Sequence, residues 1–336
     1  GFDAGRGRPA EADAGFERAR LAAPQREDID RIVEERARVQ APRVSVEAEQ
    51  RTISDGWDER SERVSIGGQP WAHAPASLLV ERRRVSAPLV RLADGRAGAL
   101  DAVLSRLEAS AAARLGAGTT LSGVVFGTSG GVGAGVRLSH EDLGGRSELT
   151  AEVNRPFWDF LELAAADGRR DRIGLQRQWR LRADTAAWAL GGWNRYRVAS
   201  GDEVQSAGLT LGIVHTVRRA APTITLQYGL DKEHRLRASA AAGTDGTRFV
   251  PIPLVSREVH LVGAISRFAL ADLWDVEVAG GYTIDRLGGR GSFASVRLTP
   301  PPAARAGLEF WADRQLYSVA TSQRVFRAGA RLTVRF

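Results

Sequence analysis

The sequence predicts an all-β fold: a transmembrane antiparallel up-and-down β-barrel of about 16 strands, preceded by a short α-helical segment. Three observations predict it. Beyond residue 40, apolar and polar side chains alternate, as expected for strands with one face in lipid and the other in water. The segments between the predicted strands are alternately short and long. The chain also closes on a strand whose last residue is the aromatic Phe336.

The final strand shows the alternation most clearly. From Phe326 to Phe336, one face carries Phe, Ala, Ala, Leu, Val and Phe, and the other carries Arg, Gly, Arg, Thr and Arg. Ordinary chain termini are frayed and polar. An apolar strand that ends on an aromatic residue therefore favours a lipid-facing surface.

The amino-acid composition limits the classes of protein to which this chain can belong. The 336 residues include 37 glycines and 8 tryptophans but no cysteine and no methionine. The lack of cysteine excludes disulfides and thiolate chemistry, and it suits a protein that faces the periplasm. No stretch approaches the roughly 18 consecutive apolar residues of a spanning helix. The chain starts at Gly1 without a signal segment, so we expect it to be part of a longer precursor.

The net charge of +7 comes almost entirely from arginine. A basic balance can indicate a nucleic-acid partner. Here the arginines are spread over alternate strand positions instead of forming one patch, so we expect no nucleic-acid binding and take the lipid of the outer membrane as the surrounding partner.

Residues 1–40 form a separate predicted unit, and residues 41–336 form the barrel. In the first unit, small, aromatic and proline residues follow the spacing of the second helix of a tetratricopeptide repeat, with a glycine where that repeat turns. These residues are Gly7, Ala12, Phe16, Ala19 and Pro24. A charged helix over about 27–39 follows as a cap or linker. An ordinary amphipathic helix remains an alternative for the first helix. Half a repeat implies further repeats upstream, because isolated repeats cannot bury their own faces.

Period-two alternation predicts each strand of the barrel in turn. The clearest strands lie around residues 224–230, 274–285 and 305–313. The other strands are expected to begin near Val44, Val64, Leu78, Val103, Leu121, Val132, Leu149, Ile173, Ala186, Leu209, Val259, Ala294 and the final strand at Phe326.

The connecting segments predict the orientation. Bacterial barrels have short periplasmic turns and longer extracellular loops. Counting back from a periplasmic C-terminus, tight inner turns fall at 116–118, 141–145, 183–184, 219–222, 270–273 and 300–303, and long outer segments at 86–100, 156–169 and 234–256. A short outer turn at 129–131 and a longer inner one at 67–75 depart from this rule. With an even number of strands, both termini are expected in the periplasm of a bacterial outer-membrane protein.

Two local alternatives stay open. Arg177 falls on the apolar face, where an arginine at the middle of the bilayer would cost roughly 2–4 kcal/mol. Either a bulge shifts the register there or the strand projects beyond the lipid. The segment 97–107 could also form a short helix.

No strong catalytic or metal-binding pattern is present. The five histidines show no metal-ligand spacing, and the glycine-rich stretch 127–135 lacks the lysine of a phosphate-binding loop. We therefore expect no catalytic residue, no cofactor, no metal and no enzymatic activity. A catalytic cluster at the rim of the barrel would be needed for the alternative of a barrel enzyme.

Mixed charge on the inward face is the main candidate for function. Alternation directs carboxylates, arginines and two tryptophans toward the lumen. The candidates for the substrate path are Trp193, Arg195, Asp275, Glu277, Asp285, Glu309, Trp311, Asp313, Arg327, Arg331 and Arg335. Salt bridges among these side chains could simply stiffen the wall. They could also form a polar track for hydroxyl-rich sugars, which needs many weak contacts, as in any conducting pore. The long loop with Phe249, Pro251 and Pro253 is expected to gate the exit.

The order of half a repeat, a charged linker and a barrel ending in Leu332-Thr333-Val334-Arg335-Phe336 resembles the outer-membrane exopolysaccharide exporters. These include the Pel, cellulose and poly-N-acetylglucosamine exporters, which are periplasmic tetratricopeptide-repeat proteins with a C-terminal porin. Three short motifs resemble the Pel-type barrel most: Asn154-Arg155-Pro156-Phe157-Trp158-Asp159, Asp171-Arg172-Ile173-Gly174-Leu175 and Ser256-Arg257-Glu258-Val259-His260.

The resemblance implies a passive pore through which a biofilm exopolysaccharide leaves the cell. It also implies that periplasmic and inner-membrane polysaccharide-synthesis proteins are partners of the upstream repeats. Exporters of cationic polymers are expected to have acidic lumens, whereas this chain is net basic, so the polymer stays open. A general or solute-selective porin is the alternative function, and a barrel enzyme is the second.

Overall fold

A computed structural model describes residues 41–336 of the chain, except 55, 72–73, 93, 244–245, 271–273, 302–304 and 318–322. The predicted helical unit at 1–40 lies outside the described residues. Within them, sixteen antiparallel strands form one closed barrel, which confirms the predicted fold class.

The strands follow the chain around the barrel, and a small hairpin is inserted in one loop. The bounds are β1 Arg43–Ile53, β2 Trp57–Trp71, β3 Ala74–Arg91, β4 Ala97–Gly116, β5 Thr119–Thr128, β6 Gly131–Asp142, β7 Gly145–Pro156, β8 Arg169–Arg182, β9 Thr185–Arg197, β10 Glu203–Arg218, β11 Thr223–Ala238, β12 Ala241–Ala242, β13 Arg248–Phe249, β14 Arg257–Leu270, β15 Trp274–Asp285, β16 Arg290–Thr299, β17 Ala306–Tyr317 and β18 Gln323–Arg335. A five-residue helix, α1, spans Leu161–Ala165 between β7 and β8.

The barrel closes where its first and last strands pair. Arg43 lies opposite Arg335, and the antiparallel register continues to Ile53 opposite Val325. The strands β12 and β13 pair only with each other, outside the barrel. With this closure, no strand of the barrel keeps an unpaired edge, which is what a sheet in lipid requires.

The outer face of the barrel carries an apolar belt. Large apolar side chains at alternate strand positions stay exposed, among them Val64 at 42%, Ile173 at 55% and Phe326 at 50%. A soluble protein rarely leaves so much contiguous apolar surface in water. The alternation therefore divides each strand into a belt face that suits lipid and a face that lines the lumen.

The two ends of the barrel differ in their connections. The turns at the end where the chain enters β1 and leaves β18 are mostly two to four residues long, such as 117–118, 143–144 and 183–184. The opposite end carries the loops 157–168 and 239–256. We call the first the turn end and the second the loop end. The long connections therefore lie at one end only, as predicted, but the other described connections of that end, such as 54–56, 129–130 and 286–289, are as short as the turns.

Three local predictions are corrected. β3 runs to Arg91 and β4 begins at Ala97, so the long outer segment predicted at 86–100 shrinks to the turn 92–96, and the helix considered for 97–107 is a strand. The inner turn predicted at 67–75 is also short, because β2 runs to Trp71 and β3 begins at Ala74. The segment 86–100 was misjudged because the strands continue past the apolar belt and their outward residues become polar, and 67–75 because its glycines and prolines resemble a turn.

Arg177 lies near the turn end of β8, five residues before the strand ends at Arg182. Its guanidinium contacts the carboxylate of Asp142 at 3.0 Å and donates a hydrogen bond to the Ser147 hydroxyl at 2.8 Å. The register of β8 with β7 is regular at this point. Because there is no bulge at Arg177, its place on the belt face is explained by its position close to the end of the strand.

Candidate functional site in the barrel lumen

A row of alternating charges crosses the lumen wall. Glu309, Arg331, Glu47, Arg63, Glu81 and Arg106 lie directly opposite one another on the six adjacent strands β17, β18, β1, β2, β3 and β4. We call this row the charge ladder. Because side chains on one strand face directly meet those of the neighbouring strands, opposite charges at this register pair across every step.

The contacts along the ladder are short. Arg331 reaches Glu47 at 2.5 Å and Glu309 at 3.4 Å. Arg63 joins Glu47 at 2.5 Å to Glu81 at 3.2 Å. Arg106 contacts the second oxygen of Glu81 at 2.6 Å. These contacts neutralise the wall and restrain long side chains that would otherwise move freely in the lumen.

Glu81 is the most enclosed member of the ladder. Its side chain is fully buried, and three arginines surround it, since Arg83 adds a contact of 2.9 Å to those of Arg63 and Arg106. A buried carboxylate is tolerated only when it is paired and hydrogen-bonded. The arginine cage around Glu81 therefore belongs to the architecture of the wall.

A second set of charges occupies the opposite side. Arg257 of β14 contacts Asp231 at 2.9 Å and Glu233 at 3.0 Å, both on β11. Glu233 also accepts hydrogen bonds from the hydroxyls of Tyr196 at 2.9 Å and Ser206 at 2.6 Å. Here too the carboxylates are held by neighbours on adjacent strands.

The structure places most of the predicted path residues on the inward face. Glu277, Glu309, Asp313, Trp311, Arg327 and Arg331 line one cavity of about 520 Å³ in the lumen. Within it, Arg327 contacts Asp313 at 2.8 Å, and the Trp311 indole donates to Glu49 at 3.3 Å. Asp275 and Arg335 also point inward, near the turn end.

Asp285 has a different role from the one predicted. Its carboxylate accepts hydrogen bonds from the backbone N–H groups of Glu258 at 3.1 Å and Leu287 at 2.9 Å, and the side chain is buried. It therefore holds the turn between β15 and β16 together at the loop end and does not line an open path.

Trp193 and Arg195 face away from the lumen, so their predicted placement is wrong. Trp193 lies opposite the exposed Ile173, and Arg195 lies opposite Asp171, both on the belt face of β8. Arg195 contacts Asp171 at 2.8 Å on the outside of the barrel. Their inward neighbour is Tyr196, which the lumen cavity contacts.

Two loops fold across the loop end. The loop 157–168 starts between β7 and β8, yet its Trp158 and Ala164 pack with Ile53, Trp57 and Val325 on the far wall. A second cluster joins Phe160 and Leu163 of this loop to Ile252 and Leu254 of the loop 239–256. We call the two loops together the mouth plug.

The predicted gating segment belongs to this plug. Phe249 is buried and stacks under the Arg91 guanidinium at 5.6 Å, at the β3–β4 turn on the opposite side of the ring from β11 and β14. Pro251 is buried beside Ile252, and Pro253 is half-buried. The loop therefore reaches across the whole opening.

A cavity of about 600 Å³ lies beneath the plug. Phe157, Phe160 and Tyr196 form its upper lining, and Arg51, Arg63, Arg83 and Arg327 are among the residues around its sides. It shares Arg63, Phe293 and Arg327 with the cavity around Trp311. The lumen is thus roomy below the plug and charged on its walls.

Two inward tryptophans lie against glycines of the wall. A side chain at Gly212 would collide with the ring of Trp188, and one at Gly329 would collide with the ring of Trp311. Each glycine lets an aromatic ring lie against the sheet. The sequence analysis did not identify Trp188 as a lumen residue. What indicates its position is the strand register, which places it directly opposite Gly212 in the pairing of β9 with β10.

No described helix is long and apolar enough to cross a membrane. Among the described residues, no group of three or more histidine, cysteine, aspartate or glutamate side chains could hold a metal ion.

The fold and the lumen define the class: the chain has the fold of an outer-membrane β-barrel of the porin-like, channel-forming kind. No family model and no curated sequence matches it. Among solved structures it is similar to a bacterial polysaccharide outer-membrane secretin, with a TM-score of 0.62 and 8% identity over 88% of this chain and 99% of that one. It is also similar to the high-pH structure of OprB from Pseudomonas putida, with a TM-score of 0.50 and 8% identity over 90% of this chain and 96% of that one. At such identities the likeness concerns the fold.

Proposed function

We propose that this barrel is a passive outer-membrane conduit through which an exopolysaccharide leaves the cell, with both termini and the turn end in the periplasm. The observation that carries the proposal is the lumen itself. Paired charges and aromatic rings form a wall of many individually weak contacts beneath a plugged mouth. A polymer that slides needs such contacts, because a single strong site would stop it.

The aromatic rings fit sugar rings in particular. Trp311 lies against Gly329 next to the charge ladder, and the Arg331 guanidinium sits 5.7 Å from its ring centre. A hydroxyl-rich chain can contact the ring and the neighbouring carboxylates together. The likeness to a polysaccharide secretin and the sequence resemblance to Pel-type exporters support this cargo class.

On this proposal no bond is made or broken, and the barrel needs no cofactor. The polymer arrives from periplasmic and inner-membrane synthesis proteins held by upstream repeats. The paired charges leave the sign of the polymer's charge open.

A general or solute-selective porin is the second candidate. The roomy cavities below the plug favour it, because they fit small solutes as well as a polymer. The two candidates differ in what crosses the membrane.

The test is deletion of the gene in its own bacterium, followed by assay of secreted polysaccharide and of small-solute uptake. Loss of secretion that the intact gene restores is the expected result. Unchanged secretion with altered solute uptake would overturn export in favour of a porin.

Complementation with W311A sharpens the test. We expect reduced secretion from this variant, because it loses an aromatic contact without changing the charge of the lumen. The matched control is W179A, since Trp179 lies on the belt face, where 37% of its surface is exposed. Equal secretion from both variants would count against a sugar track at Trp311.

A further inference from the structure

The outward face of the barrel changes from apolar to charged toward the loop end. Going toward the loop end along the outward face, the exposed Phe326 of β18 is succeeded by Arg324, and Ala312 of β17 is succeeded by Arg314. On β16 the series reaches Arg290. This change marks the edge of the apolar belt, where the headgroups of a bilayer would lie.

Three arginines on adjacent strands share this edge. Arg314 lies directly opposite Phe326, and Arg290 lies opposite Ile284, so both are on the belt face. Arg324 shares that face, two residues from Phe326. All three side chains are exposed. We call Arg290, Arg314 and Arg324 the arginine collar.

The collar arginines form no ion pair with any described residue. Several other outward cations of the loop end are paired with an acid: Arg84 with Asp101 at 2.8 Å, Lys232 with Glu258 at 3.0 Å, Arg286 with Glu258 at 2.5 Å and Arg195 with Asp171 at 2.8 Å. The exposed Arg60 and Arg82 form no ion pair among the described residues, but Arg82 lies directly opposite Glu62, and Arg60 stands between Asp58 and Glu62 on the same face of β2. The wall β16 to β18 thus presents three positive charges that the described protein does not neutralise.

Among the described outward residues of β16 to β18 at this level, none is acidic. On one side of these strands the nearest outward acid of a described strand is Glu258 on β14, which already pairs with Lys232 and Arg286. On the other side, Asp58 and Glu62 lie on β2, beyond β1, whose outward residues at this level are Gln50 and Thr52. Asp58 already accepts a hydrogen bond from Thr52 at 2.8 Å. These acids therefore leave the positive charge on β16 to β18 uncompensated.

We propose that the collar binds the phosphate groups of a lipid A headgroup in the outer leaflet, with the acyl chains lying on the belt below. Guanidinium groups bind phosphate oxygens through paired hydrogen bonds. Exposed side chains such as Phe326, Ile284 and Tyr282 lie beneath the arginines, where acyl chains would pack. The assignment to the outer leaflet uses the orientation proposed above, and it does not depend on what the lumen carries.

The test measures lipid binding to the purified full chain in detergent by native mass spectrometry. The probes are bisphosphorylated lipid A, the same lipid without its phosphates, and phosphatidylglycerol. We expect the intact chain to prefer bisphosphorylated lipid A over both others. The variant R290Q/R314Q/R324Q should lose about a hundredfold in affinity, from roughly a factor of five per arginine at a lipid surface.

The control R84Q/K232Q/R286Q removes the same number of positive charges from the same end, but takes them from paired side chains. It should bind lipid A nearly as the intact chain does. Equal loss in both triple variants would overturn the proposal in favour of general charge attraction. So would equal binding of the phosphate-free lipid, or of phosphatidylglycerol, by the intact chain. If the collar triple fails to fold, the single R314Q and the lipid comparison on the intact chain still decide. None of these readouts involves transport, so they are independent of the export assay.

Discussion

The mouth plug can be loosened from within by truncating two side chains. Ile252 and Leu254 are fully buried and pack against Phe160 and Leu163 of the other loop. Removing a buried isoleucine or leucine side chain to alanine costs roughly 2–5 kcal/mol, as lost burial and a residual cavity. The I252A/L254A variant should therefore weaken the packing between the loops while the strands of the barrel stay paired.

The size of the effect follows from the two substitutions. If about 3 kcal/mol of this packing is lost, the balance between docked and released loop shifts by roughly a hundredfold, since about 1.4 kcal/mol is a factor of ten. Single-channel recording in planar lipid bilayers would report this as more frequent and longer open events than in the intact barrel.

Val255 supplies a matched control. It follows Leu254 directly but is 41% exposed, so V255A removes a similar group without disturbing the cluster. Both variants should keep the heat-dependent gel migration of a folded barrel. Unchanged conductance in I252A/L254A, with the fold intact, would refute the idea that this packing closes the mouth.

Three further predictions concern charge. Burial raises the pKa of Glu162 in α1 above its ordinary 4.5, so its neutral form favours the docked loop, and docking should weaken as the pH rises from about 4.5 through the raised value. E162Q should remove this pH dependence of channel closure, and an unchanged pH profile would contradict the reasoning. E81Q should lower the free energy of unfolding in urea by roughly 3–5 kcal/mol, because it leaves arginines in a buried cage without their counter-charge, whereas E141Q at the exposed Glu141–Arg180 pair should change it little. R331Q removes a positive charge beside Glu47 and Glu309, so the reversal potential in a salt gradient should shift toward cation selectivity, and R177Q on the belt face should leave it unchanged.

Alternation carried the fold prediction because it repeats on every strand. A face that must meet lipid leaves a regular apolar signature, and the strand count and the long loops at 157–168 and 239–256 follow from it. The signal fails where strands leave the belt. β3 and β4 extend past the belt residues Val80 and Val103 with Arg84 and Asp101 facing outward. There the outward face turns polar while the inward Val85 and Leu104 pack in an apolar cluster, so the alternation no longer marks a lipid-facing side.

The site was harder to predict than the fold. Around Trp193 the sequence reads Ala-Leu-Gly-Gly-Trp. Small residues occur on both faces of this strand, so no apolar pattern shows which alternate residues face the lipid and which face the lumen. An error of one residue moves every side chain to the other face, which is how Trp193 and Arg195 were misplaced while Trp188 was missed. The charge ladder was only half foreseen, because pairing of Glu47, Arg63 and Glu81 depends on cross-strand register, which turn geometry and tilt decide.

The pairing of β1 with β18 has a consequence for how the barrel is made. These two strands are neighbours in space but stand at opposite ends of the described chain. Until the last strand is present, the sheet has two open edges, and each backbone group left unpaired in hydrocarbon costs several kcal/mol, by the general price of burying polar groups. A truncated chain that stops before β18 therefore has no stable form in lipid. We therefore expect β18, the strand that completes the wall, to pair with β1 before, or while, the sheet enters the bilayer.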